Sequence, residues 1–317
     1  MKIVVIGGSG HIGTFLIPRL VESGHDVTNI SRSQHPPYQQ NAAWSEVTQI
    51  SLDRNVVEAS GEFGSQILAL DPQVVIDLIC FTLPSAVQIV TALKGRVTHF
   101  LACGTIWVHG FSVVVPTTED QPRRPFGEYG LQKAAIEEYL LTEARLNNFP
   151  ATVLHPGHIV GPGWKPVNPA GNFNLSVFEK LAHGEELCLP NFGLETIHHV
   201  HADDVAQAFM AAINHRAATI GESFHVVSPA ALTLRGYAET VAGWFGKKAF
   251  LKFKPWEEWQ VGVAKEDAAA TWDHISHSPN CSITKASQTL NYQPRYTSLQ
   301  AVKEAIDWLI TAGQIKV

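Results

Sequence analysis

The stretch that decides the fold is Ile3-Val4-Val5-Ile6-Gly7-Gly8-Ser9-Gly10-His11-Ile12-Gly13. Four consecutive β-branched residues read as a strand buried on both faces. The apolar positions that follow, Ile12, Phe15, Leu16 and Leu20, have helical spacing. Strand, glycine turn and helix in this order is the one context in which a glycine-rich string carries weight. Gly7, Gly10 and Gly13 permit a tight turn and let backbone N–H groups approach a pyrophosphate resting on the positive end of the helix, with His11 and Ile12 at the same helix start. This segment therefore predicts a dinucleotide site.

The same pattern continues outward. Val27–Ile30, Val74–Ile79, Phe100–Cys103 and Thr152–Leu154 are strand-like, and helical patterns separate most of them. Such alternation predicts an α/β protein with a Rossmann-type, doubly wound parallel sheet covered by helices on both faces. After Pro156 the texture changes to Gly161, Pro162, Gly163, Pro166, Pro169 and Gly171, and the alternation stops. Asp203 and Asp204 are cap candidates for a helix carrying Val205, Phe209, Ala212 and Ile213, and Phe224–Val227 reads as a strand returning to the sheet. Thr297 and Gln300 have capping-box spacing ahead of a last amphipathic helix. The expected organisation is a dinucleotide domain over 1–165 with a returning segment near 200–230. A smaller, interleaved α/β substrate domain is expected over 166–199 and 231–317.

Composition narrows the partners. A formal charge of −6, with no basic stripe, offers no attraction to a phosphate backbone, so no nucleic-acid partner is expected. The apolar start is too short for a signal-peptide core and no later run reaches the ~18 residues of a membrane span, which predicts no membrane partner and a cytoplasmic location. The four cysteines are far apart, and Cys80 and Cys103 read as small buried hydrophobes. His198, His199, His201, His274 and His277 repeat no known ligand spacing, so polar pocket lining is favoured over a metal. Trp256, Trp259 and Trp272 read as core packing ahead of a pocket wall.

Tyr129-Gly130-Leu131-Gln132-Lys133 places a phenol and an ammonium four residues apart, on one face of a helix supported by Ala134, Ile136, Tyr139 and Leu140. Half-ionising a phenol of reference pKa ~10 at pH 7 requires about 4 kcal/mol. An ammonium at about 5 Å supplies roughly 3 kcal/mol at an effective dielectric of ~20. A carboxylate at the end of the second strand would bind ribose hydroxyls and repel a 2′-phosphate. Here the segment is Ser31-Arg32-Ser33, with no acid, which favours NADP over NAD. Arg32 as a solvated surface residue is the other reading.

In order along the chain, the glycine turn, Leu78-Ile79-Cys80, Gly104-Thr105 before Val108-His109-Gly110, Tyr129 with Lys133, His155-Pro156-Gly157-His158-Ile159-Val160-Gly161-Pro162-Gly163 and Val200-His201-Ala202-Asp203-Asp204-Val205-Ala206 resemble the extended short-chain dehydrogenase/reductases. This is the NAD-dependent epimerase/dehydratase family. The resemblance implies that Thr105 holds the substrate oxygen, Tyr129 exchanges its proton and Lys133 also binds the nicotinamide ribose. It implies cofactor contacts at Leu78, Ile79, Cys80 and His155, and places Asp53 near the adenine, where a helix-capping role is equally open. Two departures stand inside the motifs: His109 where the family usually has Tyr, and His155 where it usually has Arg. The arginines that pair with a nucleotide-sugar pyrophosphate are also missing.

The resulting expectation is an NAD(P)-dependent epimerase/dehydratase-like oxidoreductase of a sugar or other hydroxy/keto small molecule. An NADPH reductase of a small carbonyl and a non-catalytic dinucleotide sensor are the alternatives. The family often forms homodimers through the Tyr129 helix.

Overall fold

The computed structural model describes residues 1–32 and 36–317, so Ser33 lies outside the described residues. Seven parallel strands form the central sheet, in the spatial order Ser223–Val226, Ala151–Pro156, His99–Cys103, Val74–Asp77, Lys2–Ile6, Asp26–Ser31, Thr48–Ser51. The expected Rossmann-type α/β architecture is therefore found. The order reverses at Lys2–Ile6, whose last residue pairs with Ile30 on one side and Asp77 on the other. A crevice opens beyond the carboxyl ends of the strands at such a reversal, and ligands of this fold class bind there.

The period-two alternation of a strand explains how one short run supports two cores. Ile3 and Val5 face a cluster with Leu16, Ile17 and Leu20 of the helix His11–Glu22 and Phe209 of the helix Ala202–Asn214. Val4 and Ile6 face the opposite cluster, with Phe63, Ile89, Phe100 and Leu140. Every one of these side chains is under 3% exposed, which is why the first strand tolerates no polar residue between Ile3 and Ile6.

After Pro156 the chain leaves the sheet, and it returns as Ser223–Val226 to pair in parallel with Val153–Pro156. A separate core gathers Val160, Phe178, Leu189, Tyr237, Val241, Trp259, Ile306 and Leu309. The last helix, Ser298–Thr311, starts with the expected reciprocal capping box of Thr297 and Gln300. The cap of Ala202–Asn214 differs from expectation. His201, not Asp203 or Asp204, is the N-cap, and its Nδ1 accepts from the Asp203 N–H at 3.0 Å. The two acids fill the first turn instead, where Asp203 binds Arg19 and Arg295, and Asp204 accepts from the Arg295 and Tyr296 N–H groups. Among the described residues no helix is long and apolar enough to cross a membrane.

Candidate active site

The turn after the first strand needs glycine at two of the expected positions. Gly7 has φ +86° and donates to Ile30 O at 2.8 Å, and a Cβ on Gly13 would lie 1.9 Å from Gly8 O. Gly10 begins the helix with no side-chain cap, and Thr14 N–H is bonded back to Gly10 O at 3.0 Å. The first N–H groups thus remain available to an anion at the positive end of the helix. This cradle fits the pyrophosphate of a dinucleotide.

A cavity of about 280 Å³ lies beside the turn, lined by Gly7, Gly10, Ser31, Arg32, Asp53, Arg54 and Ile79 among others. Arg32 is exposed at its edge. Asp53 does two things, lining the cavity and capping the helix Arg54–Ala59 by accepting from Asn55 N–H at 2.9 Å. Arg54 gave no signal in the sequence. Its buried guanidinium binds both Asp77 oxygens at 2.8 and 2.9 Å and Glu58 at 2.6 Å, while Nη2 is left without a partner beside the cavity.

A larger cavity, about 560 Å³, continues from the same glycines and is lined by Gly7, Gly10, His11, Ile12, Leu78, Ile79, Thr105, Tyr129 and Lys133. Residues from the glycine turn and from the Tyr129 helix thereby share one cavity. Cys80 contributes a carbonyl instead of a wall: Lys133 Nζ donates to Cys80 O and Cys103 O, both at 2.8 Å. Burial pushes the Cys80 thiol up to about 12, leaving it a neutral packing group.

Tyr129 and Lys133 lie on the helix Gly127–Asn147, whose buried positions Gly130, Lys133, Ile136, Glu137, Leu140 and Ala144 follow one face. Lys133 is 2% exposed, with Nζ 5.8 Å from the Tyr129 ring centre and 4.8 Å from that of Phe81. Burial, then Cys103, push Tyr129 up to about 12, and the Thr105 hydroxyl beside it acts the other way. The Lys133 ammonium bonds two carbonyls and keeps its positive charge beside the ring; raised to about 12, the phenol is a neutral proton donor.

His274, one of the five histidines expected as polar pocket lining, lies on the wall of this cavity; Trp107 and Phe173 had no signal in the sequence. Trp107 meets Tyr129 edge-on at 6.0 Å and stacks on His277 at 4.1 Å, which in turn stacks on Phe126 at 4.1 Å. His158, Phe173, Asp273 and His274 close the far side. They come from three separate segments, Asp273 and His274 sharing the helix Lys265–His277. Among the described residues no group of three or more His, Cys, Asp or Glu side chains could hold a metal ion. Trp259 is 3% exposed and donates to Cys188 O at 2.9 Å, whereas Trp272 is exposed.

Residues 3–226 match the NAD dependent epimerase/dehydratase family. The chain belongs to that family. It is an enzyme of the epimerase/dehydratase type. UDP-glucose 4-epimerase of Mycolicibacterium smegmatis is 23% identical over 334 residues, spanning 99% of this chain and 100% of that protein. Chloroplast stem-loop binding protein of 41 kDa b of Arabidopsis thaliana is 24% identical over 312 residues, spanning 96% of this chain and 78% of that one. Among solved structures, UDP-glucose 4-epimerase of Thermotoga maritima with UDP-glucose superposes with a TM-score of 0.74 at 21% identity, over 98% of this chain and 99% of the other. UDP-glucuronic acid 4-epimerase of Bacillus cereus, in complex with UDP-glucuronic acid and NAD, gives 0.74 at 19% identity, over 98% and 100%. These likenesses show the fold.

Within this epimerase/dehydratase scaffold, His155 does not reach the cavity, contrary to the expectation of a cofactor contact. It is fully buried beneath the wall. Its Nδ1 accepts from Thr105 N–H at 2.9 Å, which puts the ring proton on Nε2, 2.9 Å from Glu137 Oε1. Arg123 holds the same carboxylate through Nε at 2.9 Å and Nη2 at 2.6 Å. A Cβ on Gly104 would lie 2.3 Å from His155 Nδ1, so the loop carrying Thr105 can pack here only with glycine. His109 pairs with His225, Nε2 to Nε2, at 2.8 Å. Both departures from the family pattern thus belong to one buried network behind the cavity.

Proposed function

We propose that this chain is an NAD(P)-dependent, epimerase/dehydratase-like oxidoreductase that moves a hydride and a proton at a hydroxyl-bearing or carbonyl carbon of a sugar or other hydroxy/keto small molecule. The observation that carries this reading is the convergence of Thr105, Tyr129 and Lys133 on the cavity into which the glycine turn opens. Gly7, Gly10, His11, Ile12 and Gly13 would hold the pyrophosphate, Ser31, Arg32 and Asp53 the adenosine end, and Leu78, Ile79 and Lys133 the nicotinamide end. When bound, the nicotinamide accepts or returns the hydride. Tyr129 gives its proton to, or takes it from, the substrate oxygen, and Thr105 holds that oxygen in line. A phenol that starts neutral suits donation to a carbonyl. For the reverse direction, Lys133 and the positive charge of an oxidised nicotinamide together lower the cost of the phenolate.

NADP is the preferred cofactor in this reading. Arg32 stands at the edge of the adenosine cavity, and the second strand ends in Ser31 without a carboxylate. Asp53 lines the same cavity while its Oδ1 caps the following helix. A simple NADPH reductase is the second reading, favoured by the absence of arginine from the larger cavity's lining among the described residues.

A screen of carbonyls, alcohols and sugars with NADPH and NADP, with and without the purified protein, tests the proposal. Turnover is expected. Dinucleotide carried through purification would favour internal hydride recycling, and released dinucleotide a reductase. Silence with every compound would sink the catalytic reading and favour a dinucleotide sensor.

A further inference from the structure

The larger cavity is aromatic where the substrate would lie and poor in charge. Trp107 and Phe173, the latter 42% exposed, line its substrate end with Ile106, while Phe81 and Trp164, 52% and 41% exposed, line its cofactor end beside Lys133 and His11. Rings left this open around a concave site are surface held ready for an apolar partner. Trp107 cannot swing away, because His277 and Phe126 are stacked behind it.

Among the described lining residues the only permanent cation is Lys133, and its ammonium is already bonded to two carbonyls. Asp273 adds a carboxylate to the wall. A pyrophosphate entering here would lose its hydration without gaining the paired guanidinium contacts that normally offset that loss. The imidazoles do not replace them. Burial and neighbouring histidines hold His158 well below its ordinary value, and burial lowers His274 to about 4, so both are neutral. Lys180 and Lys254 line a separate hollow of about 200 Å³ that shares no lining residue with this cavity.

The imidazoles do offer directed hydrogen bonds. His274 Nδ1 donates to Gly171 O at 2.7 Å and lies 2.6 Å from Ala270 O, which leaves Nε2 as a bare acceptor. His158 Nε2 is buried with no partner, and the two rings are 4.4 Å apart on the same wall. A buried polar atom without a partner on a cavity wall is a place for one ligand hydroxyl.

We infer that the substrate of this site is an uncharged, phosphate-free hydroxy or carbonyl compound bearing an aromatic ring, which lies against Trp107 and Phe173 while a distal hydroxyl is held by His158 and His274. This rests on the hydride-transfer reading and narrows its substrate class. A site that hydrogen-bonds a substrate hydroxyl discriminates strongly against the analogue without it, because the site's own polar group is then left unpaired.

The probes are 4-hydroxyacetophenone, acetophenone and UDP-glucose, each with NADPH or NADP, followed by nicotinamide absorbance, by product analysis for epimerisation, and by quenching of tryptophan fluorescence. The hydroxylated ketone should be reduced with a kcat/KM at least tenfold above the unsubstituted one, and UDP-glucose should neither bind nor react. In His158→Phe the preference should collapse, through a raised KM for the hydroxylated ketone. In His158→Gln, which keeps a hydrogen-bonding group, it should be partly restored. If His158→Phe does not fold, the wild-type ratio and His158→Gln still decide. Turnover of UDP-glucose would overturn the substrate class and leave the hydride-transfer reading intact. Ketone binding without any reaction would overturn that reading and support the pocket assignment. Failure of both ketones to bind, or equal kcat/KM for the two, would overturn the inference.

Discussion

Replacing Glu137 with glutamine keeps the side chain's shape and removes one charge from the network behind the cavity. Glu137 is 3% exposed, receives two bonds from Arg123 at 2.9 and 2.6 Å, and lies 2.9 Å from His155 Nε2. Burial alone would raise its carboxyl, but His155 and Arg123 outweigh burial and hold it well below the usual carboxylate range. Breaking one side of a fully buried pair costs about 3–5 kcal/mol. Arg123 is 24% exposed, so water recovers part of that. A loss of about 2–4 kcal/mol remains, which for a chain of this size lowers Tm by about 4–8 °C. A group whose folded pKa is depressed stabilises the native state above its unfolded pKa, and that contribution fades as pH falls through the folded value. The gap between wild type and Glu137→Gln should therefore be full at pH 7 and shrink below about pH 4. Urea midpoints and thermal scans across pH measure it, with Lys94→Ala, which removes the exposed partner of Glu143, as a control costing under ~1 kcal/mol. Equal midpoints for wild type and Glu137→Gln at pH 7 would refute the network argument.

Three further outcomes are expected. Gly13→Ala forces a Cβ to within 1.9 Å of Gly8 O, and should abolish NADP binding in a calorimetric titration; a variant that binds normally would contradict the cradle. His11, His99, His109, His201 and His277 are all lowered to about 4, mainly by burial, while the unfolded chain titrates near ~6.5. The unfolded state then binds more protons in that window, so Tm should be steady above pH 7 and fall steeply from about pH 6.5 toward 4; a flat profile would exclude neutral buried histidines. Arg32→Ala should weaken NADP about tenfold and leave NAD within about twofold, as loss of one charged hydrogen bond predicts. Parallel loss of both would show that Arg32 reads no 2′-phosphate.

The sheet was legible because its information is local. Ile3–Ile6 is a β-branched run that only a doubly covered strand can bury, and the turn after it rejects a Cβ at Gly7 and at Gly13. The face shared by Tyr129 and Lys133 was legible for the same reason, since four residues make one helical turn. What the sequence hid is non-local. Arg123, Glu137, His155 and Thr105 are brought together by the sheet and its return strand, and no periodicity encodes that meeting. His201 was missed as a cap because Asp203 and Asp204 are better cap formers, yet the turn places the imidazole where a carboxylate was expected.

The central claim is that Tyr129 exchanges the proton that accompanies hydride transfer. Its most direct measurement is deuterium transfer from 4-deuterated NADPH to a carbonyl substrate, compared between wild type and Tyr129→Phe, alongside the NADP Kd of each. With the phenol as the proton carrier, the variant should keep an unchanged Kd and lose transfer by about 10²–10⁴-fold. A Tyr129→Phe protein that transfers deuterium at the wild-type rate would contradict it.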